Sequence, residues 1–181
     1  MLRQVHFIPL ILFSLSLIAC QNQPYQAIAS NSHAQQMMIG DYQVIDGDTI
    51  VIEQKNKKIR IRLDGIDAPE MDQAFGDASR LWLQQCLTSA KPISVSWQRT
   101  DKYGRLLGTL YAGSTDCNLR QIKHGFAWHY KFYQDQQTPQ ARLAYSQAHQ
   151  QARQQKLGLW QQHCPINPWA WRQKQFDACE L

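Results

Sequence analysis

The stretch from Thr49 to Leu63 constrains the fold more than any other part of this sequence. Ile50-Val51-Ile52 is β-branched, and Ile59, Ile61 and Leu63 alternate with Lys58, Arg60 and Arg62. A two-residue period buries the aliphatics on one face of a sheet and leaves the basic groups on the other. A slip of one residue would turn Arg60 and Arg62 into the core, so the register has little freedom. Lys55-Asn56-Lys57, between the two runs, reads as a hairpin turn.

Beyond Gly76 the period becomes helical, with Ala78, Leu81, Trp82 and Cys86 expected on the buried face. Pro92 precedes a second alternating run, Ile93, Val95 and Trp97, and a turn at Asp101-Lys102-Tyr103-Gly104 leads into a fifth strand at 106–111. Asn118 is the expected N-cap of a short helix reaching about His124, with Gly125 ending it. Thr138-Pro139 starts a longer helix with a stripe of Ala141, Tyr145, Ala148 and Ala152. Trp160, Trp169 and Trp171 are expected to pack over the core. Three strands, a helix, two strands and then helices, without repeat, exclude a βαβ alternation. The fold class expected is a β-barrel with helices (α+β): a twisted five-strand barrel with helices against it.

The 181 residues are 44% hydrophobic, which suits one globular domain, and the net charge of +5 favours polyanionic partners. Arg3 followed by the apolar run 7–19 predicts a signal peptide over residues 1–19, since a membrane span needs about 20 apolar residues. Leu17-Ile18-Ala19-Cys20 resembles the lipobox of bacterial lipoproteins, which implies a lipid on Cys20 and a membrane partner. Gln21 resembles the residue that sends such proteins to an outer membrane. Residues 20–40 are expected to be a flexible tether. Residues 41–181 would then be the folded domain, with a Trp-rich C-terminal extension, acting as a monomer. Cys86, Cys117, Cys164 and Cys179 lack Cys-x-x-Cys spacing, which argues against a thiolate metal site. In an oxidising compartment they should pair. Three connectivities are open, and the sequence neighbours Cys86–Cys117 and Cys164–Cys179 are preferred.

Three motifs concentrate reactive groups. Ile45-Asp46-Gly47-Asp48-Thr49 is a turn with two carboxylates around a glycine. Arg62-Leu63-Asp64-Gly65-Ile66-Asp67-Ala68-Pro69-Glu70 ends a strand in crowded negative charge. Arg99-Thr100-Asp101-Lys102-Tyr103-Gly104-Arg105 is a basic turn carrying an aromatic ring. Asp46 and Asp101 read as turn residues, Asp64 as a solvated or hydrogen-bonded carboxylate, Lys58 and Arg60 as a wet strand face, and His129 as surface packing.

In this order and spacing the motifs resemble those of the staphylococcal (micrococcal) nuclease family, over about residues 41–160. The resemblance implies an OB-type barrel of five strands with three helices. It also implies a Ca²⁺ ion held by Asp48, Asp67 and the backbone carbonyl of Ala68, where many relatives carry threonine. By the same resemblance Glu70 would handle the attacking water, and Arg62 and Arg105 would grip the scissile phosphate. Lys102, Tyr103 and Tyr133 would lie near the bound nucleotide, with Lys131 where another tyrosine is found. The implied substrates are DNA and RNA, cut to 3′-phosphates. The alternative is an OB-type lipoprotein that binds nucleic acid without cutting it.

The chemistry is coherent without the family. Attack on a phosphodiester adds negative charge to an anion, and a hard cation with oxygen ligands offsets it. Guanidiniums add bidentate contacts that tighten as that charge develops.

Overall fold

A computed structural model describes residues 34–179 of the chain. The signal peptide, Cys20 and the first part of the expected tether lie outside them. The strands β1 (Gln35–Ile39), β2 (Tyr42–Val44), β3 (Thr49–Gln54) and β4 (Lys57–Leu63) come first, and a short β5 (Ile66–Asp67) follows. After α1 (Gly76–Thr88) come β6 (Ile93–Thr100), β7 (Leu106–Ala112) and the short β8 (Thr115–Asp116). The remainder is α2 (Cys117–Lys123), β9 (Trp128–His129), a 3₁₀ turn (Lys131–Gln136), α3 (Pro139–Gln154), a second 3₁₀ turn (Gly158–Gln161) and α4 (Pro168–Arg172).

The main sheet runs β1-β6-β7-β4-β3-β2. Its two ends, β1 and β2, are successive pieces of chain separated only by Gly40-Asp41, so the sheet curls round on itself. Counted this way the barrel has the five strands expected, with β4 and β7 parallel and the other pairs antiparallel. The hairpin register is the one that alternation demands: Ile50 faces Ile61, Ile52 faces Ile59, and Ile50, Ile61 and Leu63 are fully buried. Lys55 and Asn56 both have positive φ, as a two-residue turn matched to strand twist requires.

Several features differ from the sequence reading. Residues 35–39 are strand and not tether, because Met37 and Ile39 pack against the core while the strand pairs with β6. The buried face of α1 carries Ser79, Leu83, Cys86 and Leu87, while Leu81 is 52% exposed. The rule of three and four was sound there but started one residue off. Asp116, not Asn118, caps α2 by accepting from the Leu119 N–H. Asn118 is instead buried, accepting from Leu110 N and donating to the carbonyls of Asp64 and Gly108. His129 is buried, hydrogen-bonded to Gln137.

Gly125 ends α2 at φ 73, and a Cβ there would lie 2.1 Å from the Leu157 carbonyl oxygen. The backbones therefore touch, and Leu159 N donates to Gly125 O. Trp160 packs edge-on against Trp128, whereas Trp169 is half exposed. Cys86 is joined to Cys117, tying α1 to α2, and Cys164 is joined to Cys179, closing the C-terminal segment into a loop.

Candidate active site

Asp48 is set by its turn. Its own N–H donates to Asp46 Oδ1 (2.9 Å), and its carbonyl accepts from Leu63 N (2.7 Å). Gln121, fully buried on α2, donates to the Gly47 carbonyl at 2.7 Å and so pins the turn against the helices. There is no room for a side chain at 47, since a Cβ would come within 1.9 Å of Ser79 Oγ. Asp67 is set from the other side, where β5 pairs it with Trp128 and the Tyr130 N–H donates to the Gly65 carbonyl. The two turns meet where the Ala68 N–H donates to Asp48 Oδ2 at 2.8 Å.

Arg62 lies between the carboxylates. Its guanidinium is 3.1 Å from Asp48 Oδ2 and 2.8 Å from Asp67 Oδ1, and it donates to the carbonyls of Leu63 (2.8 Å) and Ile66 (2.9 Å). Burial opposes its charge, but Asp48, Asp67 and Asp46 outweigh that and hold its pKa above the ordinary value. Burial pushes Asp67 up to about 6, with Arg62 pulling it down and Asp48 adding to the rise. Asp46 also rises to about 6, through burial and then the neighbouring Asp48.

Glu70 stands in the loop before α1, its N–H donating to Gln73 Oε1. Its carboxylate is met by Arg172 at 2.6 Å, and Arg172 also reaches Asp67 Oδ2 at 3.1 Å. Nothing in the sequence marks Arg172, an arginine in the Trp-rich tail with no motif around it. Only the bracketing cysteines hint that the segment is held in place.

Asp48, Arg62, Asp67, Ala68 and Glu70 are thus brought together. Arg105 is held apart, its Nε donating to Asp101 Oδ2 (2.7 Å) while the guanidinium lies 5.6 Å from the Tyr103 ring. The parallel pairing of Arg62 with Leu107 nevertheless places Arg105 on the neighbouring strand's approach to the site. Asp101 caps this turn by accepting from the Tyr103 and Arg105 N–H groups. Lys102 and Tyr103 are exposed on it. Asp64 accepts from Arg99 at 3.0 Å. Tyr133 is half exposed among Tyr130 and Phe132, and a cleft of about 280 Å³ beside Asp67 has Tyr130, Lys131, Phe132 and Trp169 in its walls.

The donor set fits a hard cation. Asp46, Asp48, Asp67 and Glu70 face two guanidiniums, and burial, with Asp48 adding to it, holds the carboxyls of Asp46 and Asp67 above their ordinary value. All the side-chain donors are oxygens, as Ca²⁺ prefers. Among the described residues no three His, Cys, Asp or Glu side chains converge. Backbone carbonyl and water would have to complete the coordination around Asp48 and Asp67.

Comparison with known proteins identifies the family. The family model described as "Staphylococcal nuclease homologue" matches residues 60–162. An "Uncharacterized endonuclease" of Escherichia coli O157:H7 is 34% identical over 170 residues, covering 93% of this chain and 97% of the relative. A "Micrococcal nuclease" of Shigella flexneri is 36% identical over 144 residues, 75% of this chain and 80% of the relative. An "Uncharacterized endonuclease" of Haemophilus influenzae is 37% identical over 133 residues, 73% and 71% respectively.

Proposed function

This chain belongs to the staphylococcal nuclease family, and on that premise we propose that it is a calcium-dependent nuclease acting on DNA and RNA. The observation that carries the reading is the guanidinium of Arg62 held between the buried carboxylates of Asp48 and Asp67, with Glu70 linked to Asp67 through Arg172. A stability-driven design would not bury two carboxylates around one guanidinium, because the desolvation cost rivals the attraction gained.

Asp48 and Asp67, with the carbonyl of Ala68, would hold the ion, which supplies positive charge to the phosphate oxygens. Glu70 takes the proton of the attacking water as its oxygen bonds to phosphorus. The bond from phosphorus to the 5′ oxygen breaks, leaving a 3′-phosphate and a 5′-hydroxyl that draws its proton from solvent. Arg62 is already oriented by the Leu63 and Ile66 carbonyls, so little freedom is lost when it meets phosphate. Arg105 would swing from Asp101 to the other phosphate oxygens. Each such donor commonly contributes about 3–4 kcal/mol to the barrier reduction. The exposed rings of Tyr103, Phe132 and Tyr133 offer π-faces to unpaired bases, flanked by Lys102 and Lys131.

The reading extends to export and lipid attachment at Cys20, supported by the apolar run before it and by cysteines paired as an oxidising compartment favours. Membrane fractionation of wild type beside Cys20→Ala tests this part, with the variant expected in the soluble fraction.

The activity is tested with purified residues 21–181 on plasmid and RNA in EDTA, Ca²⁺ or Mg²⁺, beside Glu70→Gln and Arg105→Ala. Cleavage should stop on chelation and return with Ca²⁺, and both variants should lose about 10²–10⁴ in rate. Binding without cleavage would assign the chain to non-catalytic nucleic-acid-binding barrels instead.

A further inference from the structure

We propose that Arg172 is a third guanidinium of this active centre, a positioning residue that holds Glu70 and shares Asp67 with the cation. The inference rests on the nuclease reading above and adds the C-terminal segment, which lies beyond the part of the chain matched by the family model, to the site.

The segment is built to deliver that side chain. Cys164–Cys179 closes it, Ile166 bridges Cys179 in antiparallel fashion, and Asn167 caps the turn of helix that ends at Arg172. Three contacts then clasp it to the loop that carries Glu70. Gln73 Nε2 donates to the Ile166 carbonyl at 2.6 Å, Trp171 Nε1 donates to Asp72 Oδ1 at 3.1 Å, and Arg172 reaches Glu70 at 2.6 Å. Gln73 works in both directions, since its Oε1 also accepts the Glu70 N–H. Among the described residues Arg172 is the side chain that binds the Glu70 carboxylate. A glutamate on a loop would otherwise lose rotamer freedom only at the moment of reaction.

Two opposite consequences follow from one charge. By donating to Asp67 (3.1 Å), Arg172 competes with a cation for that carboxylate and repels it. By fixing Glu70 it favours the chemical step. Removing the guanidinium must therefore tighten cation binding and slow turnover together. Loss of a merely structural residue would lower both.

The experiment compares wild type, Arg172→Gln, Arg172→Lys and the double variant Cys164→Ser/Cys179→Ser. Ca²⁺ alone is titrated by calorimetry, and kcat and KM are measured on a defined oligonucleotide. Arg172→Gln should bind Ca²⁺ about tenfold more tightly, and kcat should fall about 10–100-fold with KM changed much less. Arg172→Lys should return Ca²⁺ affinity to near the wild-type value but restore kcat only in part, because an ammonium cannot fork across two carboxylates. The double variant frees the loop and should shift both readings in the same directions as Arg172→Gln. It carries the comparison if Arg172→Gln does not fold. Unchanged or weaker Ca²⁺ binding in Arg172→Gln, or an unchanged kcat, overturns the assignment. A wild-type protein that neither binds Ca²⁺ nor cuts would instead remove the nuclease reading, and this inference with it.

Discussion

Replacing Arg62 by Gln separates the structural and chemical duties of the site. Its guanidinium makes four contacts of 2.8–3.1 Å: two with carbonyls and two with carboxylates that are almost wholly buried. Breaking a buried pair from one side costs about 3–5 kcal/mol. The glutamine amide keeps one donor for a carbonyl, worth about 1 kcal/mol, so about 2–4 kcal/mol of stability should be lost. For a domain of this size that lowers Tm by about 4–16 °C. The loss should depend on pH with a definite sign. Asp67 already has its carboxyl raised to about 6, and Arg62 is a cause that lowers it, so removing Arg62 raises it further. A carboxyl raised in the fold contributes stability that is complete below its unfolded value and is lost as pH rises through the folded value. The gap between Arg62→Gln and wild type should therefore be wider at pH 8 than at pH 5.5. Thermal unfolding in EDTA at the two pH values measures this, and added Ca²⁺ should narrow the gap at pH 8 by replacing the missing positive charge. Cleavage should still be about 10²–10³ slower, since the phosphate donor is gone. A Tm in EDTA within two degrees of wild type, or a deficit that ignores pH, would refute this account of the site.

Gln121→Leu should cost only about 1–2 kcal/mol: it orphans the Gly47 carbonyl, but also removes the Gln121 Oε1 atom, which is buried without a partner among the described residues. Chemical denaturation reads the cost, and a Ca²⁺ titration should show weaker binding as the Asp48 turn loosens. Gly47→Ala should be worse, by about 1–3 kcal/mol, because its Cβ would press on Ser79 and Ala68; equal Tm in the two proteins would contradict that. His149 is lowered to about 4, by burial and then by Lys131 and Arg153. Its neutral form stabilises the fold fully above about 6.5, and the contribution is lost as pH falls towards 4. Over pH 7 to 4, His149→Gln should lose about 2–3 kcal/mol less than wild type in urea titrations.

Local physics accounts for what could be read ahead of the structure. Alternation in Thr49–Leu63 set the register of β3 against β4, and with it the place of Arg62 on the face opposite the aliphatic side chains, because a slip would have driven its guanidinium in among them. Asp48 and Glu70 stood out because carboxylates crowded at turns are costly without a purpose. The errors are equally local. Asn118 and Asp116 are both good caps by residue type, and only the demand of the Leu110, Asp64 and Gly108 backbone for a buried amide decided between them. On α1, apolar spacing favoured the face of Leu81, yet Ser79 is the buried residue because the Phe126 carbonyl needs its hydroxyl.

By itself, then, the sequence determined the strand register, the element order, and the short-range motifs in which Asp48, Arg62, Asp67, Glu70 and Arg105 sit. Periodicity, turn chemistry and charge crowding act over a few residues. Tertiary structure decided what depends on distant segments meeting. It closed the barrel by bending one strand across both sheet ends, and paired Asp67 with β9. It also lowered Arg172 onto Glu70 across 102 positions of chain. No local pattern encodes an ion pair at that separation, since its partners become neighbours only after the core and the Cys164–Cys179 loop have formed.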